Sequence, residues 1–494
     1  MNLMLLFIIP LIASLLIFAS SFVSARNLKI LSFGMSLIPL ILLIYGHSQW
    51  LGSYVEYPWL PPLSIEFYLR VDSLSLVFLY LTAIIVPISI LAVRSHNLSL
   101  PNIFFGLILL LEALLIGFFT ARDLALFVLF FEAMLLPLYF IITLWGGPQR
   151  QTAAMEFLIY MIAGSALLIA AVLFLYFVSG TGTFNIDTLA KISSTAPHAA
   201  WLGAIFALAF AVKTPLFPFH AWLPDAYYQA PIAGTILLSA LLSKAGIYGF
   251  LRIGMELFPE LLREWSPLLL GLAIAGVFYG GLAAWMQNDF KRLIAYSSFS
   301  HVNFVLVGVF IWSQTAHTGA ILQAFNHGVT ITALFLVAGW LEERIGTTSM
   351  LQTGGLAKFI PHLCWLTFFF VLASIALPGT NNFVGELLIF FGLFGSHPWL
   401  TAFLGLTVIL SVMYMLRWMQ KVYFETPAVF QESLVDIKGK EFCIALPLVA
   451  LILWIGIYPS PMLKQIQNNM TTTEITENTK ETQTKYLPQS KLQR

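Results

Sequence analysis

The sequence predicts an all-α polytopic membrane protein of about 14 transmembrane helices, with the seventh and twelfth broken. Three observations carry this prediction. Apolar types make up 59% of the 494 residues and charged types only 10%, with a mean hydropathy of +0.88. Soluble chains average about 25% charged and 45–50% apolar, so this chain could not clothe a soluble core. Residues 30–55, 157–186, 192–212, 359–385 and 387–416 contain no Asp, Glu, Lys or Arg, and the charge-free stretch 293–341 is long enough for two crossings, since one crossing takes about 20 residues. Finally, two apolar runs are cut by proline beside a charge. A soluble enzyme, a disordered scaffold and a nucleic-acid binder are excluded, the last also by a net charge of only +1.

Breaks at glycine, proline and polar clusters divide the chain into spans near 2–20, 28–46, 74–93, 102–119, 124–146, 155–179, 201–222, 233–251, 266–286, 293–312, 318–341, 362–393, 400–424 and 442–459. The first lacks a basic n-region and exceeds signal-peptide length, so it reads as a retained span. Residues 1–100 then hold three N-terminal helices, 101–255 and 256–425 two five-helix halves, and 426–465 a loop and a last helix. Residues 466–494, rich in Thr, Glu, Gln and Lys, read as a disordered polar tail. Cys364 and Cys443 stand alone with no CxxC, so the chain offers neither an iron–sulfur cluster nor a thiolate zinc site.

Loops numbered after the span they follow separate the basic residues. Odd loops hold eleven (Arg26, Lys29, Arg94, Arg150, Lys291, Arg292, Arg344, Lys358, Lys421, Lys438, Lys440) and even loops five (Arg70, Arg122, Lys191, Arg252, Arg263). The positive-inside rule puts the odd loops in the cytoplasm and both termini outside.

A few charges remain inside spans, namely Lys213, Lys244 and Arg417 with Glu112, Glu132, Glu156 and Glu386. Each costs roughly 2.5–3.5 kcal/mol at a helix centre, and such residues face a bundle interior or a water path. The alternative is a charge pair that only locks helices together. In Lys213-Thr214-Pro215-Leu216-Phe217-Pro218-Phe219-His220, Pro215 and Pro218 each remove a backbone donor, so the span must break beside the lysine. Leu377-Pro378-Gly379-Thr380-Asn381-Asn382-Phe383-Val384-Gly385-Glu386 repeats the device, with Pro378 and Gly379 ahead of an acid. Interrupted spans in corresponding halves point to a transport site. His220, His301 and His327 can both donate and accept protons near neutrality. Burial favours a neutral amine and a carboxylate partner favours the ammonium, so Lys213 facing Glu132 would be a switchable proton site.

These residues resemble a known family. Phe131-Glu132-Ala133-Met134-Leu135-Leu136-Pro137, Lys213-Thr214-Pro215 through Ala221-Trp222-Leu223-Pro224-Asp225-Ala226, and Ala230-Pro231-Ile232-Ala233-Gly234 are similar to the antiporter-like subunits of respiratory complex I. So are Leu242-Ser243-Lys244-Ala245-Gly246-Ile247-Tyr248-Gly249, Asp289-Phe290-Lys291-Arg292 and His327-Gly328. Asn382-Phe383-Val384-Gly385-Glu386, with glutamate where sister subunits carry lysine, resembles the M-type branch, also known as subunit 4. The chain departs from the family pattern at Tyr227, Glu156 and Asn303.

The resemblance implies two inverted five-helix repeats and a proton relay of Glu132, Lys213, Lys244, His301, His327 and Glu386, with Glu112, His220 and Arg417 as secondary positions. It implies no cofactor or metal in this chain. Quinone, NADH, FMN and Fe–S clusters would belong to partner subunits. Sister subunits L and N would be the chief neighbours in the lipid bilayer, which is expected to be a bacterial plasma membrane. A subunit of an Mrp-type cation/proton antiporter, a membrane-bound hydrogenase arm and a passive scaffold are the competing readings.

Overall fold

The computed structural model describes residues 2–94, 98–192, 199–426 and 434–467. The predicted tail therefore lies almost wholly outside the described residues, as does part of the loop before the last helix. The helices that matter below are α1 (Met4–Ala19), α2 (Ala25–Tyr45), α3 (Ser73–Ala92), α4 (Pro101–Thr120), α5 (Leu124–Trp145), α6 (Arg150–Ser179), α7 (Ala199–Lys213), α8 (Trp222–Gln229) and α9 (Ile232–Leu257). They continue as α10 (Ser266–Met286), α11 (Phe290–Phe310), α12 (Gln314–Ile345), α13 (Pro361–Ser374), α14 (Asn381–Ser396), α15 (Pro398–Phe424) and α16 (Gly439–Ile457).

Every predicted span falls on one of these helices or on a broken pair. Eleven are long and apolar enough to cross a membrane, while α1, α7 and α13 are shorter. The pairs α7/α8 and α13/α14 are the two predicted breaks. Burial sorts the helices: the most apolar stretches of α9 and α12 are wholly buried and that of α11 nearly so, whereas in α2, α15 and α16 no more than about a third of the corresponding residues are buried. The buried helices carry Lys244, His301 and His327.

Contacts between connections reproduce the alternation of loops. On the even-loop face, the segment before α3 pairs with the α4–α5 connection through Leu69 and Ala121, and Asp123 bridges to Asn185. On the odd-loop face, Arg94 pairs with Glu343, Arg344 with Glu441, and Asp289 bridges to Ser349. One element departs from the all-α expectation. Residues Tyr54–Leu60 (β1) and Ile65–Arg70 (β2) form an antiparallel hairpin on the even-loop face. Their tyrosines, Val55, Trp59, Ile65 and Phe67 favour a pleated surface over a helix.

The breaks keep their freed backbone groups satisfied, as membrane depth demands. After α7, the Trp222 indole donates to the Val212 carbonyl at 3.2 Å, and the Asn303 amide donates to the Pro215 carbonyl at 3.2 Å. Between α13 and α14, Gly379 takes φ +93, a conformation glycine adopts freely. A Cβ on Gly456 of α16 would run into the Gly379 carbonyl, so a second glycine lets α16 close over this break. Asn326 of α12 and Asn381 of α14 then exchange amide-to-backbone hydrogen bonds of 2.7 and 3.0 Å.

Candidate proton-relay site

Glu132 sits near the middle of α5, where Pro137 leaves the Ala133 carbonyl without its helical donor and the helix loosens at Met134. Lys213 is the last residue of α7. The Lys213 Nζ donates to Glu132 Oε1 at 2.6 Å and lies 3.8 Å from the centre of the Phe131 ring. Ser165 of α6 holds the other carboxylate oxygen. The lysine side chain is 2% exposed and the glutamate 25%, so the pair opens only on its carboxylate side.

Lys244 lies in α9 between two π-helical segments, Leu238–Leu242 and Phe250–Gly254. Such segments re-aim side chains and recur at functional sites. Its ammonium donates to the Ser239 carbonyl at 2.6 Å, and its Nζ is 2.8 Å from His327 Nδ1 of α12. With the lysine as donor, Nδ1 accepts and the imidazole proton sits on Nε2. α9 approaches the first break closely at Gly246, where an added Cβ would stand 2.7 Å from the Thr214 amide nitrogen.

The row of polar groups continues laterally. The His301 and His327 rings stack with centroids 5.7 Å apart, and His301 Nδ1 stands 3.3 Å from Glu386 Oε1. Gln323 donates to the same oxygen at 3.2 Å. A cavity of about 20 Å³ adjoins Glu386 and His301 and is lined by Ser300, Thr407, Ser411 and Tyr414 among others. Several buried polar atoms along this seam have no protein partner: His301 Nε2, His327 Nε2, Gln323 Oε1, Asn326 Oδ1 and both amide atoms of Asn382. Buried groups of this kind are ordinarily satisfied by water.

Not every predicted site residue joins the row. Arg417 belongs to the odd-loop face. Its guanidinium donates at 2.6 Å to the carbonyls of Trp285 and Gln287, so it caps the C-terminus of α10, where a cation is favoured. His220 bonds the Pro218 carbonyl at 3.1 Å and stacks on Phe299. Glu112 is fully buried with neither oxygen partnered. Among the described residues no hydrogen bond joins Lys213 to Lys244, so the two halves of the relay meet across packed side chains. Tyr227 is buried with its hydroxyl on the Leu238 carbonyl, the first residue of a π segment.

Sequence reasoning missed two groups. The amides Gln323, Asn326, Asn381 and Asn382 carry no formal charge, and their signal in the sequence is an amide inside a charge-free stretch. Arg122 and Arg252, counted as loop cations, are 7% and 2% exposed. Arg252 pairs with Asp72 at 2.6 Å and Glu256 at 2.8 Å, while Arg122 pairs with Glu256 at 3.0 Å and with Asp187. Burial alone would raise the Asp72 carboxyl, but the Arg252 guanidinium outweighs it and holds that carboxyl well below the usual range. Burial pushes the neighbouring Asp123 up to about 6, against its hydrogen bond from the Leu126 amide.

A broken-helix pair carrying a lysine–glutamate ion pair, followed by a buried Lys–His–His–Glu row, defines an antiporter-like membrane module. Residues 121–429 match the family model described as NADH:quinone oxidoreductase/Mrp antiporter, and the chain belongs to that family. It is 38% identical over 431 residues to NADH-quinone oxidoreductase subunit M of Escherichia coli (strain K12), covering 85% of this chain and 84% of that one. It is 34% identical over 478 residues to NADH-ubiquinone oxidoreductase chain 4 of Marchantia polymorpha, covering 94% and 95%. Among solved structures, a chain of respiratory complex I from Thermus thermophilus with bound NADH superposes with a TM-score of 0.86 at 33% identity, over 94% of this chain and 98% of that one.

Proposed function

We propose that this chain translocates protons as the M-type membrane subunit of an NADH:quinone oxidoreductase. The energy comes from quinone reduction in partner subunits that hold NADH, FMN and Fe–S clusters. The 2.6 Å Lys213–Glu132 pair at a helix break carries the reading. While the pair is closed the carboxylate holds the proton on the lysine; when it opens, burial favours the neutral amine. The released proton passes to Lys244, then through His327 and His301 with bridging water to Glu386. Lys213 and Lys244 store the charge, the histidines donate and accept, and Glu386 is the distal acceptor.

In this reading all fourteen spans cross the membrane, and residues 101–255 and 256–425 form two inverted repeats, each with one broken helix. The odd-loop face is cytoplasmic and both termini lie outside a bacterial plasma membrane, with subunits L and N as neighbours. The family model also covers Mrp antiporters, but the relatives at 34–38% identity carry NADH-oxidoreductase names, which favours the redox-coupled assembly. The test is proton uptake by vesicles carrying the complete complex with Glu132→Ala. Loss of uptake with intact assembly supports the relay, and unchanged uptake removes it.

A further inference from the structure

Lys244, Tyr248, Arg252 and Glu256 recur every four residues along α9, a spacing that lines them on one helix face from the centre of the bundle toward the even-loop face. The stripe resembles a direct way out for a proton at Lys244, about 18 Å long at the usual helical rise. The side chains on it close that way. The Lys244 ammonium turns back toward Ser239 and His327, away from Tyr248. Tyr248 is fully buried, with its ring 5.5 Å from Phe78, 5.4 Å from Phe118 and 5.0 Å from Phe119. Its hydroxyl donates to the Phe119 carbonyl at 2.6 Å and accepts from Arg252 Nε at 3.0 Å. Beyond it stands the Arg252 guanidinium, held by Asp72 and Glu256.

We propose that the Tyr248–Phe78–Phe118–Phe119 collar, backed by the Arg252 guanidinium, is the barrier that denies a proton at Lys244 direct passage to the even-loop face and so sends it sideways to His327. A proton path needs groups that can both accept and donate. Phenyl rings do neither, and the one hydroxyl here is engaged on both sides. A guanidinium has no acceptor lone pair, so Arg252 cannot take up a proton and pass it on. Arg122, Glu256, Asp187 and Asp72 tie the α9 end to three other connections on this face. The proposal rests on the proton-relay reading above and adds the element that insulates it.

The test uses the complete complex in sealed vesicles. Tyr248→Ala and Phe118→Ala should retain quinone reduction but move fewer protons per electron. They should also dissipate an imposed pH gradient severalfold faster than the parent when no NADH is present. Tyr248→Phe, which keeps the ring, should hold the gradient. In Tyr248→Ala/Lys244→Ala the leak should disappear. If either collar variant assembles and holds both gradient and stoichiometry at parental values, the barrier is overturned. Lys213→Ala in the same vesicles separates the two readings: pumping lost there but unaltered in the collar variants overturns the barrier alone, while pumping retained in Lys213→Ala overturns the relay itself.

Discussion

The Lys213 ammonium and the Glu132 carboxylate meet at 2.6 Å although 81 residues separate them in the chain. The lysine reaches the glutamate because α7 ends there, one residue before the Thr214-Pro215 break, and because α5 loosens one turn ahead of Pro137. Both irregularities come from proline. Taking two charges out of water costs several kcal/mol per ion, which only close pairing and further hydrogen bonds offset. Ser165 and the Phe131 ring supply part of that offset.

In the proposed relay Glu386 is the distal end, so its ability to titrate should matter more than its volume. Glu386→Gln is expected to impair proton pumping strongly while quinone reductase subunits remain assembled. Glu386→Lys should retain part of it, because a titratable group stays beside His301 and Gln323. Pumping measured by dye quenching in vesicles checks this, and full activity of Glu386→Ala would exclude the role.

The even-face latch should be a stability element. Asp72→Asn leaves Arg252 buried with Glu256 as its remaining acid, and should cost about 3 kcal/mol, the lower end for breaking a buried pair. The folded carboxyl lies below its unfolded value, so its contribution is present above about pH 4 and fades only as pH falls toward the folded value. Thermal dissociation of the purified complex should therefore show the same loss for Asp72→Asn at every pH from about 5 to 8.

Asp123 should behave in the opposite sense. Its folded value of about 6 lies above the unfolded one, so the folded state loses stability as pH rises from about 4 to 6 and stays penalised above. Asp123→Asn keeps an N-cap acceptor for Leu126 and removes the charge, while its amide nitrogen cannot accept from the Glu66 N–H as the second carboxylate oxygen does. It should flatten the pH dependence of melting between about 4 and 7. A pH dependence unchanged from the parent would contradict this.

Gly246 tests how closely α9 must approach the first break. In Gly246→Ala the methyl meets Thr214, and overpacking of this kind costs about 1–3 kcal/mol. The melting temperature should fall, and pumping with it, because the displaced segment carries Lys244.

Much of this was legible in the chain. Charge-free intervals located the spans, and prolines 215, 218 and 378 located both breaks, because backbone chemistry acts within a few residues. Glu132, Lys213, Lys244 and Glu386 were singled out by the cost of a charge at membrane depth, a cost that composition and position alone reveal. What stayed hidden depends on distant contacts. Nothing local ties Asp72 to Arg252, 180 residues away, or turns Arg417 from a span residue into the cap of α10. The hairpin at 54–70 stays hidden because it lies in a loop whose apolar residues alternate with period two over only a few positions. Glu112 was found by its cost, but its surroundings give it no partner in the relay.

The most direct measurement is the number of protons moved per NADH oxidised by sealed vesicles carrying the complete complex with Lys213→Ala. The relay predicts that this variant assembles and that its pumping collapses, with coupled quinone reduction falling alongside. Parental proton stoichiometry and rate in an assembled Lys213→Ala complex would contradict it.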